Sequence, residues 1–163
     1  MGPDPSRSGV EFSPPILQLD YTFLVPAGSS IQRIADLDRP DIRIAVVRDH
    51  ASTLTLSRIF KNAQLVYAAT PDPTFELLRT GQADAFASIR AVLLAYSSRL
   101  PGSRVLDDRY GANLLGMVVS KGQGARLAYI SEFIEQAKAS GLVQQAIERA
   151  SLPGHQVAPA KTN

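Results

Sequence analysis

The sequence contains no cysteine among its 163 residues. This absence excludes disulfide bonds, thiolate metal sites and cysteine nucleophiles, and it leaves the redox compartment of the protein open. Histidine is also scarce, because only His50 and His155 are present and they form neither an HxH nor an HExxH pattern. The sequence has no GxSxG elbow and no Walker loop. We therefore expect no metal and no cofactor.

Charge of one sign and long apolar runs are lacking as well. The formal net charge is +2, and the basic residues are interspersed with acids, so the basic stripe of a nucleic-acid-binding protein is missing. The longest apolar runs, such as residues 91–96, fall far short of the ~20 residues that a membrane-spanning helix needs. Residues 1–9 lack the apolar region of a signal peptide. We expect no nucleic-acid partner and, for the chain as written, no export signal.

The hydrophobic pattern indicates alternating strands and helices. Hydrophobic residues make up 45% of the chain and charged residues 20%, as in one globular domain or one lobe of a larger protein. Residues 127–150 have helical periodicity with an interruption at Gly141, which predicts C-terminal helices. The alternation predicts an α/β fold with a mainly parallel sheet flanked by helices. The apolar runs that predict strands are residues 21–25, 42–47, 65–68, 84–87 and 113–119.

The polar loop at residues 48–53 is the first candidate ligand site. It joins the carboxyl end of a predicted strand to the start of a helix, which is where open α/β sheets bind ligands. The first turn of that helix offers unpaired N–H groups, which suit a carboxylate or a phosphate. Alternatively, Ser52 only caps the helix while the charged residues face water. The candidates for ligand contact are Arg48, Asp49, His50, Ser52 and Thr53.

Two further polar residues follow the predicted strand at residues 84–87. Ser88 and Arg90 lie at its carboxyl end, which a parallel sheet places beside the loop at residues 48–53. The Arg90 guanidinium could bind an anionic ligand in a bidentate manner, or it could pair with an acid and cap the sheet. The sequence contains no nucleophile with a base and an orienting group, so we do not expect an enzyme.

The order of these elements resembles that of type 2 periplasmic solute-binding proteins of the amino-acid type. Residues 12–25 resemble the segment of that family that leaves the first lobe and crosses the hinge, and residues 34–47 resemble the turn and strand that enter the second lobe. Residues 77–85 are similar to the family's Leu-x-x-Gly-x-x-Asp-Ala motif. Residues 113–121 resemble the return crossing strand, and residues 127–150 resemble the last helical region. The resemblance covers about residues 11–152.

The resemblance implies the substrate-binding component of an ABC importer, or a sensor domain derived from one. It implies a periplasmic location, an ABC permease as partner, and a zwitterionic ligand held by residues 48–53 and by the position of Ile89. Asp49 and His50 depart from the glycine and small hydroxyl residues usual in the family. Ile89 stands where an aspartate commonly binds the ligand's amino group. We therefore expect a small polar or anionic solute rather than an ordinary α-amino acid.

The resemblance also implies that a first lobe is missing before residue 11. Without it, the C-terminal helices would expose an apolar face, so we expect a homo-oligomer formed through these helices. A ligand-free structural or oligomerisation protein that keeps the lobe fold is the alternative to solute binding. The expected organisation is a flexible tail (1–10), a hinge strand (11–26), a ligand-binding lobe (27–112), a return crossing strand (113–121), C-terminal helices (122–152) and a tail (153–163).

Overall fold

The computed structural model describes residues 9–161, so residues 1–8 of the expected flexible tail lie outside the described residues. The chain forms two compact units. The lobe unit is Asp20–Asn113, and the terminal unit combines Met1–Leu19 with Leu114–Asn163.

Strands and helices alternate through the lobe unit, and the terminal unit contains two consecutive helices, of which the first is the longest among the described residues. The strands are β1 (Val10–Phe12), β2 (Leu17–Val25), β3 (Arg43–Val47), β4 (Gln64–Ala68), β5 (Ala85–Ile89), β6 (Arg104–Val105), β7 (Gly111–Leu115), β8 (Val118–Ser120) and β9 (His155–Val157). The helices are α1 (Ala51–Ile59), α2 (Pro71–Arg79), α3 (Arg90–Ser97), α4 (Gly124–Ala139) and α5 (Leu142–Arg149), with a 3₁₀ turn at Ile34–Asp36.

The sheet of the lobe unit confirms the predicted α/β class. Its strand order is β4-β3-β5-β2-β6, and β3 pairs in parallel with both β4 and β5. The helices α1 and α2 connect these parallel strands, as crossover connections must. Strand β2 runs antiparallel to both β5 and β6. The sheet is therefore mixed, whereas the sequence pattern led us to expect a mainly parallel one.

The core of the lobe unit explains why its strands are continuous apolar runs. Successive residues of a strand point to opposite faces of the sheet. In β3, Ile44 and Val46 join a buried cluster with Leu56 of α1, while Ala45 and Val47 join a second cluster with Phe75 of α2. Because helices cover both faces, both sets of side chains must be apolar.

The start of α1 differs from the prediction. His50 is the N-cap residue and Ala51 is the first helical residue, so Ser52 is not the helix cap. The side chain of His50 makes no capping hydrogen bond. Ser52 lies within the first turn and is buried. The helix begins earlier because the backbone N–H of Leu54 already donates to the carbonyl oxygen of His50.

The terminal unit contains a short antiparallel pair, β1 with β8. The single strand predicted at residues 113–119 is wrong, because β7 ends at Leu115 and β8 begins at Val118. Gly116 separates them where a Cβ atom would lie 3.1 Å from the carbonyl oxygens of both Ser13 and Pro14. A larger residue would require these backbone segments to move apart by a few tenths of an ångström, which glycine avoids.

The C-terminal segment of the terminal unit is more ordered than predicted. Helices α4 and α5 are confirmed, with the expected break at Gly141, whose φ is +80°. The expected tail at residues 153–163 contains β9, which pairs antiparallel with Leu17–Leu19 of β2. Ala158 follows β9 and is buried, and its backbone N–H donates to the carbonyl oxygen of Ile16. The pairing of β9 and the burial of Ala158 order this segment, although its composition alone does not indicate a regular structure.

One ion pair at the amino end of β3 predicts a pH-dependent stability. The carboxylate of Asp84 accepts hydrogen bonds from the Arg43 backbone N–H (2.8 Å) and from its Nε (3.1 Å). Hydrogen bonds from the Arg43 side chain lower the pKa of Asp84. A carboxylate with a lowered folded-state pKa stabilises the protein above its unfolded pKa, and this contribution is lost as the pH falls through the folded-state value.

We expect Asp84→Asn to lower the urea midpoint at about pH 7 and to have a smaller effect well below about pH 4, because the wild-type carboxylate, whose pKa is lowered, becomes protonated only there. Urea titrations followed by circular dichroism at both pH values measure this. Asp41→Asn is the control, because Asp41 is exposed and its carboxylate oxygen lies 3.6 Å from Arg39. An equal loss of stability for Asp84→Asn at both pH values would show that the charge of Asp84 plays no part.

Candidate functional site

The carboxyl ends of the parallel strands form one edge of the lobe sheet. Because β3, β4 and β5 are parallel neighbours, the helices that follow them all begin at this edge. The first helical residues are Ala51 of α1, Pro71 of α2 and Arg90 of α3. Each helix start carries unpaired N–H groups and the positive end of the helix dipole. This edge therefore combines donors suited to an anion with the two predicted polar segments.

The loop between β3 and α1 places three predicted site residues on the surface. Arg48, Asp49 and His50 are all exposed. Asp49 has φ of +60°, a left-handed conformation that aspartate tolerates better than most residues. The Arg48 guanidinium lies 5.8 Å from the centre of the Tyr67 ring, within the range of a cation–π contact. The first turn of α1 has no acidic residue, so no carboxylate of its own sequence competes for its N–H groups.

Ser52 and Thr53 face the interior rather than the solvent. Each is 3% exposed. The Thr53 hydroxyl donates to the carbonyl oxygen of Val47 at 2.7 Å, which ties the start of α1 to the end of β3. Ser52 lies beside the buried hydroxyl of Tyr110. Both side chains therefore fix the position of the helix start, and the donors that α1 presents outward are backbone N–H groups.

The hydroxyl of Tyr110 is the most enclosed polar group at this edge. Burial raises the pKa of the Tyr110 phenol, and the neighbouring Ser52 hydroxyl offsets part of that rise. The two hydroxyls do not meet in a hydrogen bond of good geometry, and the Tyr110 oxygen has no such partner among the described residues. The ring packs against Phe23 at a centroid distance of 4.9 Å. The sequence marks Tyr110 only as a weaker candidate for the rim of a site, and the structure shows that its hydroxyl is buried.

The guanidinium group of Arg90 is engaged in hydrogen bonds within the protein. Its guanidinium donates to the carbonyl oxygens of Leu106 (2.7 Å), Asp107 (2.8 Å) and Asp108 (3.3 Å). Its Nε lies 4.0 Å from a carboxylate oxygen of Asp20, and its side chain is only 15% exposed. Of the two roles considered from the sequence, this geometry matches pairing with an acid and fastening the sheet edge. Ser88 lies in β5, two residues before Arg90. It is buried and lies opposite Thr22 of β2.

Asp20 and Arg109 belong to this edge and were not identified from the sequence. The Asp20 carboxylate is 6% exposed and accepts a hydrogen bond from Arg109 Nη1 at 2.9 Å. With Arg90 on its other side, this carboxylate faces two guanidinium groups. The side chain of Arg109 is 51% exposed, so part of its guanidinium remains open to solvent. An aspartate inside the apolar pattern of β2 is the sequence signal that could have indicated the cluster.

The seven predicted residues thus separate into two groups. Arg48, Asp49 and His50 are exposed at the edge, whereas the other four (Ser52, Thr53, Ser88 and Arg90) are buried or largely enclosed. Among residues 9–161, no group of three or more His, Cys, Asp or Glu side chains could hold a metal ion. In the same part of the chain, no helix has both the length and the apolar character needed to cross a membrane.

Comparisons with known sequences found no relative. No protein-family model matches the chain, and no curated protein matches it either. Comparison with solved structures, by contrast, gives many matches. The similarity of this chain to known proteins therefore appears in its fold and not in its sequence.

Three matched structures illustrate that fold. An ancestral amino acid-binding protein described as a precursor of cyclohexadienyl dehydratase matches 91% of this chain with a TM-score of 0.67 and 22% identity. A putative binding component of an ABC transporter from Wolinella succinogenes, complexed with lysine, matches 86% with a TM-score of 0.70 and 24% identity. The solute receptor for L-cysteine of Neisseria gonorrhoeae matches 92% with a TM-score of 0.66 and 23% identity.

The chain therefore has the fold of the amino-acid-binding proteins of ABC transporters, which is the type 2 periplasmic-binding-protein fold. It spans 64%, 62% and 61% of the length of the three matched structures, which is less than two thirds of each. At these identities the likeness concerns the fold alone. What the chain binds must be argued from its own residues.

Proposed function

We propose that the lobe unit binds a small polar or anionic solute at the start of α1, as one wall of a solute-binding cleft. One observation carries the proposal: the first turn of α1 has neither an acidic residue nor a side-chain cap, and it begins at the carboxyl edge of the sheet. Exposed Arg48 precedes it and is balanced in charge by exposed Asp49, so the free N–H donors and the helix dipole supply the preference for a negative group. The matched structures, described as amino acid-binding, lysine-bound and L-cysteine-binding, support a role in solute binding.

The charges at this edge favour a solute with a negative group. Ile89 is the N-cap of α3 and supplies no carboxylate for an ammonium group. The Asp20 carboxylate faces Arg90 and Arg109, which neutralise it. A carboxylate or phosphate at α1 would gain charge-assisted hydrogen bonds from backbone N–H groups, whereas an ammonium group would meet the positive end of the helix dipole. A carboxylate or phosphate on a small polar solute is therefore the group that we propose the site recognises.

The biological role follows the matched structures. Two of them are a binding component of an ABC transporter and a solute receptor, so we propose a periplasmic solute-binding role with an ABC permease as partner. The chain as given spans less than two thirds of those structures, and we propose that its lobe unit forms one wall of the cleft. A one-sided site buries less of its ligand than a closed pocket, so we expect dissociation constants on the order of millimolar.

Replacing Ala51 with proline tests the proposed donors directly. Ala51 is the first residue of α1, a position where proline is favoured because it removes only an unpaired N–H. His50 has φ of −73° and ψ of 144°, the extended conformation required before proline. We expect Ala51→Pro to leave the unfolding midpoint unchanged and to weaken binding of succinate and inorganic phosphate by at least about tenfold, the value of one charge-assisted hydrogen bond. Isothermal calorimetry measures the affinities.

Matched charge variants complete the test. Arg48→Ala should weaken binding of the same anions, whereas Arg58→Ala, an identical charge change at the opposite end of α1, should not. L-lysine and L-cysteine, the solutes named for two matched structures, complete the panel and should bind more weakly than succinate. The proposal fails if no compound in the panel binds, or if Arg48→Ala and Arg58→Ala weaken binding equally.

A ligand-free structural or oligomerisation protein is the second candidate. The internal engagement of Arg90 and the apolar position of Ile89 favour it, because both remove polar groups from the site. The two candidates differ in one measurable property. A solute-binding lobe responds to Ala51→Pro with a change in ligand affinity, whereas a structural protein shows no ligand-dependent heat with or without the substitution.

A further inference from the structure

The terminal unit carries an open apolar groove along its two helices. The groove has a volume of about 440 Å³, and its twelve lining residues are all apolar. Within the part of the chain that the structure describes, eleven large hydrophobic side chains are exposed, and eight of these belong to the terminal unit. The large lining residues with exposed side chains are Met117, Phe133, Leu142 and Leu152. This concentration differs from the scattered exposure of single hydrophobic residues that is normal on a monomer.

A ridge borders the groove on the same helix. Tyr129 and Phe133 are four residues apart in α4, so their side chains are neighbours on one helix face. Tyr129 is 73% exposed and Phe133 is 53% exposed. Phe133 lines the groove and also shares a shallow depression with Tyr129, which makes ridge and groove continuous. A surface with a ridge beside a groove has the shape needed to pair with a copy of itself.

The exposed apolar area matches what a stable dimer requires. A side chain of this size exposes about 100 Å² of apolar surface when it is half exposed. Tyr129 and the four large lining residues named above therefore expose roughly 500 Å² together. A standard interface buries about 800 Å² per subunit, and about 65% of a homodimer interface is apolar, which again gives roughly 500 Å². The area is therefore sufficient for one interface.

The charges of the two helices permit like-with-like pairing. Helix α4 contains Arg126, Glu132, Glu135 and Lys138, and α5 contains Glu148 and Arg149. The three acids and three bases leave no net charge on the pair of helices. Two copies of the same helical surface can therefore approach without the net repulsion that would oppose an interface between identical charged faces.

We propose that the groove is covered by the same surface of a second copy, in a closed twofold dimer in which the Tyr129–Phe133 ridge of each copy fills the groove of the other. In such an isologous interface each surface is used once on each subunit, so assembly stops at two. The proposal concerns the terminal unit and does not depend on a ligand at the lobe unit.

Analytical ultracentrifugation of the full chain tests this proposal. At micromolar concentration we expect twice the 17.5 kDa of the chain. Phe133→Glu and Tyr129→Glu should each weaken the dimer by at least about tenfold, because a buried charge in an apolar interface is costly. Ile59→Glu is the control, since Ile59 is similarly exposed but ends α1 in the lobe unit. Tyr129 is largely solvent-exposed, so its variant keeps the test informative if Phe133→Glu fails to fold.

A cross-linking experiment tests the ridge-in-groove pairing. The chain contains no cysteine, so a chain with Tyr129→Cys and a chain with Ala146→Cys each carry one thiol, on the ridge and in the groove. Mixed and oxidised, the two variants should form a disulfide-linked heterodimer. A monomer in ultracentrifugation would overturn the proposal, because the groove would then be either uncovered or the binding site of a different polypeptide. Open-ended higher assemblies, a dimer insensitive to Tyr129→Glu, or failure to form the mixed disulfide would also overturn it.

Discussion

Replacing Arg90 with methionine is expected to lower the free energy of unfolding by about 3 kcal/mol, because a largely buried cation loses several hydrogen bonds at once. The guanidinium holds the carbonyl oxygens of Leu106, Asp107 and Asp108, so the substitution leaves these acceptors without their shared donor. Methionine retains much of the apolar stem, so lost packing adds little. Urea unfolding followed by circular dichroism measures the loss.

Arg99→Met is the matched control for this prediction. Arg99 also belongs to the region around α3 and pairs with Asp72 at 3.3 Å, but both side chains are more than half exposed. Pairs of this kind contribute less than about 1 kcal/mol, so the control should be nearly neutral. If Arg90→Met were as neutral as Arg99→Met, Arg90 would not fasten the sheet edge and would again be a candidate for ligand contact.

The second large effect concerns Lys138 of the terminal unit. Its side chain is only 4% exposed, and its Nζ lies 2.7 Å from a Glu135 carboxylate oxygen. The same Nζ donates to the carbonyl oxygens of Pro15 (3.0 Å) and Pro159 (3.0 Å). Two of the three ammonium donors thus bind carbonyl oxygens, and the Glu135 carboxylate balances the charge in an ion pair. Lys138 therefore fastens both the segment before β2 and the segment after β9 to α4.

We expect Lys138→Met to destabilise the terminal unit by about 3 kcal/mol, since it removes one member of a buried ionic cluster. The loss should be local, with faster amide hydrogen exchange in β9 and at Ala158, because these residues depend on the fastened C-terminal segment. Hydrogen exchange followed by mass spectrometry measures this. Lys121→Met is the control, because Lys121 is exposed in the same unit. Unchanged exchange at Ala158 in Lys138→Met would contradict the assigned role.

The strands and helices of the lobe unit were largely predictable because their patterns are local. The run at residues 42–47 was recognisable as a buried strand, since both faces of β3 are covered and every position must be apolar. Gly141 was recognisable as a helix break, because glycine readily adopts the left-handed conformation found there. These features depend on neighbours within a few residues, which the linear pattern contains.

Features that depend on distant residues were predicted poorly. The three residues of β9 have no strand pattern of their own and become a strand by pairing with Leu17–Leu19. Ser52 was a reasonable cap by composition, but the helix begins before it, and its hydroxyl is buried beside Tyr110. The direction of β2 relative to β5 was also beyond the linear pattern, because residue types do not specify which strand pairs with which.

The amino-acid sequence by itself determined the α/β class, the absence of thiol chemistry and the polar loop at residues 48–53, because composition and local periodicity record them. The tertiary structure decided which of the polar residues are free. It turns Ser52 and Thr53 inward, commits Arg90 to carbonyl oxygens sixteen to eighteen residues away, and leaves Arg48, Asp49 and His50 exposed. The physical reason is that hydrogen-bond partners and burial are set by residues distant in the chain, which only the folded arrangement brings together.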